Sequence, residues 1–156
     1  MSRRCALPSD FVKDLVQHKA WVAESMQVAA TDLFHRAAIH DNSKFETEEY
    51  ELYDQVFPDL QKYAYGSAEL KAVYVQLGPA LAHHLKVNRH HPEYHENGIN
   101  GMNLLDVLEM VCDWLAASKR SQTGIARGLE INKERYGISD QLFEIIKHTV
   151  AMLLEE

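Results

Sequence analysis

The 156 residues amount to about one domain, and with 46% hydrophobic and 25% charged residues they can bury a real core. A net charge of -7 argues against a duplex nucleic-acid binder, which needs a basic face to collect phosphates, and suits small ligands better. The two cysteines, Cys5 and Cys112, lie far apart with no CxxC spacing, so neither a disulfide framework nor a zinc knuckle is indicated and reducing cytoplasm is the expected compartment. The N-terminal MSRRCALPSD has no apolar stretch behind its arginines, and no window approaches the length of a membrane span. Histidine is the outlier: there are nine, and five fall between His83 and His95. Clustered imidazoles point to metal, phosphate or proton transfer.

From residue 9 to about residue 28, Phe11, Leu15, Val22 and Met26 recur at helical spacing, with Ser9 or Asp10 placed to cap the start after Pro8. His18 lies on that same face, as a core histidine or a ligand. A second helix is expected over residues 29 to 41, because Leu33, Ala37, His40, Asp41 and Lys44 share one helical face. His40 and Asp41 therefore stand together at its end, either as a helix-ending histidine with a turn-forming aspartate or as half of a metal site. His35 falls off that face and reads as a surface or supporting residue. Asn42-Ser43 should break the helix before a third one from about residue 46 to 56, ended by Phe57-Pro58. Its acidic run, with Glu46, Glu48, Glu49 and Glu51, reads as a solvated face beside a favourable N-terminal dipole, with no chemistry assigned.

Tyr63, Tyr65 and Gly66 form a connection, and Ser67 can cap a long helix over residues 68 to 86 carrying Leu70, Val73, Leu77 and Leu81, kinked at Gly78-Pro79. That helix delivers His83 and His84 to VNRHHPEYHENGING, the longest irregular stretch. Its Arg89, His90, His91, Glu93 and His95 can hold an anion or shuttle a proton, or form an ordinary solvated loop. Asn103 caps a helix to about residue 118, with Leu104, Leu108, Val111 and Leu115 on one side and Asp106, Glu109, Asp113 and Ala117 as a second stripe. Asp113, within MVCDWLAA, has apolar or small neighbours and needs a cation or several donors. Asp106, three residues after Asn103, completes a cap or joins the site. Lys119, Arg120 and Arg127 end a helix favourably or meet substrate phosphates. Ser139 caps a last helix with Leu142, Ile146 and Leu153 as its core face and His148 as a structural residue. No repeat, low-complexity tract or strand alternation is present, so the expected class is an all-α single domain over residues 1 to 156.

The order of His18, then His40-Asp41, then Asp113, all on helices, resembles the HD-domain superfamily of metal-dependent phosphohydrolases. QHKAWVAESM and AAIHDNSK look like its first two motifs, and MVCDWLAA is similar to its last; the likeness spans residues 9 to 118, with the helices of 119 to 156 completing an HD-like bundle. NRHHPEYHENG together with LLDVLEMVCDWLAAS further resembles a family of small uncharacterised bacterial and phage proteins in that superfamily. The resemblance implies that His18, His40, Asp41 and Asp113 hold one divalent ion, with Mn, Fe, Co, Ni, Mg and Zn not distinguished. His84, His90 and His91 resemble positions that hold a second metal in some branches. The superfamily usually has Gly before the lysine that follows its His-Asp pair, whereas here the turn is Asn42-Ser43-Lys44.

The implied activity is a metal-dependent phosphohydrolase acting on a small nucleotide or deoxynucleotide, in which bound metal polarises a phosphoryl oxygen and lowers the pKa of water. Asp41 would ligate and orient that water. Lys44, His84, Arg89 and His91 are candidates for contacting substrate, Lys44 and Arg89 by neutralising phosphate charge, and His90 or Glu93 for protonating the leaving oxygen. The expected partner is thus a small phosphorylated molecule, with neither duplex nucleic acid nor membrane, and a homo-oligomer is compatible. Two alternatives stand beside this one: a di-iron oxygenase using His84, His90 and His91, and a non-catalytic helical protein whose site only holds a ligand.

Overall fold

The computed structural model describes residues 9–119 and 124–155; Cys5, Pro8 and Arg120 lie outside the described residues. The chain is all-α. Its helices are α1 (Asp10–Ile39), α2 (Thr47–Lys62), α3 (Ala68–Val87), α4 (Leu104–Ser118), α5 (Gly124–Tyr136) and α6 (Asp140–Leu154), with short 3-10 turns at Asn42–Phe45, Pro92–Tyr94 and Gly98–Gly101. Among the described residues there is no strand, and no helix is long and apolar enough to cross a membrane. Two compact units divide the chain, Met1–Ala38 and Ile39–Glu156.

The first unit is built on α1, which is one helix where two were expected. Nothing between Asp10 and Ile39 is a glycine or proline, so no residue there stops propagation. Its hydroxyls also turn inward: Ser25 and Thr31 donate to the carbonyls of Trp21 and Gln27, at 3.0 and 2.8 Å, within the helix rather than competing with it. His18 and His35 belong to this helix.

In the second unit, α2 and α3 pair through Val56, Val73 and Leu77, with Leu52, Leu60, Tyr63 and Leu81 packed around them. This packing explains why α2 continues past Phe57-Pro58 to Lys62 instead of ending there: Leu60 and Tyr63, beyond the proline, are held in the apolar cluster, and their burial offsets the one backbone bond Pro58 cannot donate. The kink expected in α3 is present, with Gly78 at φ 23° and ψ -95°, a conformation that favours glycine. Ser67 caps that helix by accepting from the Leu70 amide at 3.1 Å.

A second apolar cluster joins α4, α5 and α6 through Val111, Leu115, Leu129, Ile138, Phe143, Ile146 and Val150. On α6 the buried face is Phe143, Ile146 and Val150, one step round from the expected Leu142, Ile146 and Leu153; Leu153 and His148 are exposed, so His148 has no core role. Ser139 caps α6 as expected, accepting from the Leu142 amide at 3.3 Å. Lys119 and Arg127 are exposed.

Candidate metal centre

The centre begins where α1 stops. Ile39 is the last helical residue, and Asp41, expected inside the helix, has φ 57°, the one positive φ outside glycine among the described residues. Aspartate tolerates this left-handed conformation better than most side chains, and such positions are often retained where geometry matters. The turn brings Lys44 back over Asp41: the Lys44 amide donates to the Asp41 carbonyl at 2.9 Å, and Nζ to Asp41 Oδ2 at 2.5 Å. The other carboxylate oxygen, Oδ1, faces inward.

Three histidines meet it there. His84 Nε2 lies 3.3 Å and His90 Nε2 3.5 Å from Asp41 Oδ1, and His91 Nε2 is 2.9 Å from His84 Nε2. The four donors lie within 4.8 Å of one another, close enough to hold a metal ion. Donors about 2.1 Å from one cation are separated by about 3 Å in an octahedron and about 3.4 Å in a tetrahedron, and the separations of 2.9, 3.3 and 3.5 Å above are close to these. On the other side of Asp41, Oδ2 and Asp113 Oδ1 each lie 3.7 Å from His40 Nε2, a second group of metal-binding size. Asp41 thus contributes to both groups.

Two side-chain atoms in this cluster are buried without a hydrogen-bond partner, Asp41 Oδ1 and His90 Nε2. They are the two atoms 3.5 Å apart. A buried polar atom normally has a partner, and this facing pair is placed as a cation would require of its ligands. His90 is 2% exposed, so bulk solvent does not reach it.

A family model described as a family of unknown function, DUF5662, matches residues 8–152. The chain belongs to that family. No curated protein and no solved structure matches it.

Behind the donors stand two more carboxylates. Glu49, fully buried, lies 2.9 Å from His84 Nδ1 and 2.8 Å from His83 Nδ1, while Glu109 Oε1 lies 3.0 Å from His40 Nδ1 and 3.3 Å from His90 Nδ1. A carboxylate on one ring nitrogen fixes the tautomer and turns the other nitrogen toward a metal. Glu49 corrects the reading of the acidic run as a wholly solvated face; its neighbours Glu46, Glu48 and Glu51 are exposed, but Glu49 points inward. Ser43 and Asn88 complete this support, with Asn88 Nδ2 donating to Ser43 Oγ at 2.7 Å and to the His84 carbonyl at 3.0 Å.

The local charges suit a cation. Hydrogen bonds with Asp113 and Glu109 raise the His40 pKa to about 10, so this position favours positive charge. Burial, reinforced by His90 and His84, depresses that of His91 to about 3, and burial also lowers His84, which keeps both imidazoles neutral with lone pairs to offer. Asp41 and Asp113 are held below the usual carboxylate range although burial opposes it, the first by Lys44 and the second by its bond to His40.

Of the other candidate residues in the second unit, Asp113 lies within a donor group, while Arg89, Glu93 and His95 have partners of their own. Asp113 is a quarter exposed rather than enclosed by apolar neighbours, because α4 turns it toward His40 one helical turn after Glu109. Arg89 grips Asp106 through two nitrogens, at 2.6 and 3.0 Å, and Asp106 also closes the capping box with Asn103. Glu93 pairs with Arg135 at 2.9 Å, and His95 Nε2 lies 2.8 Å from the Arg89 carbonyl. His18 belongs to the first unit, whereas every donor described above belongs to the second.

Proposed function

We propose that this protein is a metal-dependent phosphohydrolase of the HD-like type, acting in the cytoplasm on a small nucleotide or deoxynucleotide. The observation that carries the metal half of the reading is the facing, unpartnered pair of Asp41 Oδ1 and His90 Nε2, inside a group completed by His84 and His91. Three imidazoles and a carboxylate suit Mn, Fe, Co, Ni or Zn better than Mg, which prefers oxygen donors. In this reading the donor groups of Asp41, His84, His90, His91 and of His40, Asp41, Asp113 each hold one ion. His90, with Nε2 in the first group, acts as a ligand rather than as proton donor to the leaving oxygen.

A divalent ion supplies Lewis-acid polarisation of a phosphoryl oxygen and acidifies water when bound. The chain's own residues do the rest. Lys44, fixed beside Asp41 Oδ2 and lying 5.2 Å from the Tyr53 ring centre, places a positive charge where an incoming phosphate must be neutralised. Asp41, held ionised by Lys44, orients the water. The substrate class comes from the resemblance of the His40-Asp41 and Asp113 motifs together with the chain's acidic charge, which suits a small mobile anion.

The test is phosphate or nucleoside release from nucleoside mono- and triphosphates and cyclic dinucleotides, with Mn, Co, Ni, Mg and Zn in turn, for wild type and for His40→Ala and Asp41→Ala. Loss of activity in both variants is expected, and turnover indifferent to them sinks the proposal. A second reading, a di-iron oxygenase, draws on the three-imidazole group, since such donors hold redox-active iron equally well. Iron-replete purification separates the two: two irons per chain with an oxygen-dependent spectrum favour the oxygenase, and metal that does not respond to oxygen favours hydrolysis.

A further inference from the structure

Glu109 touches two rings with one oxygen. His40 Nδ1 and His90 Nδ1 lie 3.0 and 3.3 Å from its Oε1, and the two ring centres are 4.3 Å apart at a tilt of 39°. Beyond those contacts the rings diverge in purpose. His40 Nε2 faces Asp113 Oδ1 and Asp41 Oδ2, while His90 Nε2 faces Asp41 Oδ1. Each therefore serves a different donor group. An imidazole whose N–H is committed to a carboxylate on one side presents its lone pair on the other.

We infer that Glu109 is a positioning residue for both donor groups at once: by accepting from Nδ1 of His40 and of His90 it aims both Nε2 lone pairs inward and couples the two metal positions. This rests on the metal-site reading above. Glu109 and the two Nδ1 atoms are themselves compact enough to hold an ion. Against that arrangement stands His90 Nε2, which would stay buried without a partner if Nδ1 took the metal, whereas an Nδ1–H donated to Glu109 leaves Nε2 free to ligate. Glu49 supplies the contrast, because it backs His84, a member of one group only, and His83, a member of neither.

The experiment compares wild type, Glu109→Gln and Glu49→Gln by titration with Co2+, following the visible absorption of the bound ion and the metal retained after gel filtration, with circular dichroism to show that all three fold. Glutamine keeps the size of glutamate but donates as well as accepts, so the ring tautomers are no longer fixed. Two binding steps are expected in wild type; Glu109→Gln should weaken both by about 10- to 100-fold, and Glu49→Gln only one of them. Zn2+-loaded, isotope-labelled wild type gives a reading that needs no variant: ring NMR should find the proton on Nδ1 of both His40 and His90. A wild type that binds no Co2+ overturns this inference and the metal reading together. Two undiminished steps in Glu109→Gln, loss of a single step there, a single site in wild type, or an Nε2 proton on either ring each overturn the coupling while leaving metal binding in place.

Discussion

Asp41 and Asp106 are both carboxylates set into the second unit, and they are satisfied in opposite ways. Asp106, 0% exposed, has every oxygen engaged: Oδ1 takes Arg89 Nε at 2.6 Å, and Oδ2 takes Arg89 Nη2 at 3.0 Å and the Asn103 amide at 2.9 Å. Asp41 is less buried, with 21% of its side chain exposed, yet its Oδ1 has no hydrogen-bond partner and faces a histidine nitrogen in the same condition. Depth of burial therefore does not mark the candidate site. Incomplete satisfaction does, because a structural carboxylate is closed by the protein itself and a ligating one is left open for what it binds.

The largest expected effect comes from closing Asp41 chemically. Asp41→Asn keeps the left-handed turn, which asparagine tolerates, but removes the charge that would face a cation, so metal affinity, and with it the proposed hydrolysis, should fall by orders of magnitude while metal-free stability changes by about 1 kcal/mol or less. Chelation reads the same difference. With free metal at about 1,000 times its Kd, binding adds about 4 kcal/mol to wild-type stability. For a chain of this size each kcal/mol moves Tm by about 2–4 °C, so a chelator should lower wild-type Tm by about 8–16 °C and leave Asp41→Asn unmoved. A chelator shift that survives Asp41→Asn would remove this residue from the site.

Asp106→Asn should invert the pattern. Turning one acceptor oxygen into a donor sets an amide against the Arg89 guanidinium or the Asn103 amide and leaves the arginine half-paired. Breaking a fully buried pair costs about 3–5 kcal/mol, and because Arg89 is half-exposed the figure here should be about 2–3 kcal/mol. Urea unfolding would give the loss, and the chelator shift should persist. If Asp106→Asn instead abolished metal binding in folded protein, the distinction between closed and open carboxylates would collapse.

What the sequence reveals follows the same division between local and distant causes. The Asn103 cap, the Ser67 and Ser139 caps and the Gly78-Pro79 kink are legible because each is decided within one turn of chain. The stripe of Asp106, Glu109 and Asp113 is likewise visible as spacing, but spacing cannot tell that Arg89 closes the first and that His40 meets the other two. Glu49 is hidden for a physical reason: among four glutamates in six residues nothing local distinguishes the one that reaches His83 and His84, some 35 positions away. The break expected near residue 28 had no breaker behind it, and the stop at Pro58 was overridden by apolar packing beyond it. The histidine surplus was the most informative signal, since four of the nine rings, His40, His84, His90 and His91, fall in the donor groups.

A smaller effect tests how Asp106 is closed. Arg89→Lys keeps the charge but replaces a planar two-nitrogen grip with a single ammonium, so stability should fall by about 1 kcal/mol, seen as a Tm lowered by about 2–4 °C with and without chelator alike. A drop confined to the metal-loaded protein would mean that Arg89 serves the donor groups rather than the loop.

The smallest effect belongs to Glu93, which shares the loop with His90 and His91 but turns to Arg135 on α5. Both partners are substantially exposed, and a solvated pair of this kind contributes at most about 1 kcal/mol. Glu93→Gln should therefore lower Tm by no more than about 2–4 °C, leave Co2+ binding at both steps unchanged, and leave kcat for any substrate found within about twofold of wild type. The comparison is sharp because Glu93 stands only two residues from His91: as a proton donor it would act on the leaving oxygen, whereas its pairing with Arg135 would make it a strut between the loop and α5. A kcat reduced by about 100-fold or more with metal binding intact would restore it as a general acid, since that is the size of effect such a group contributes.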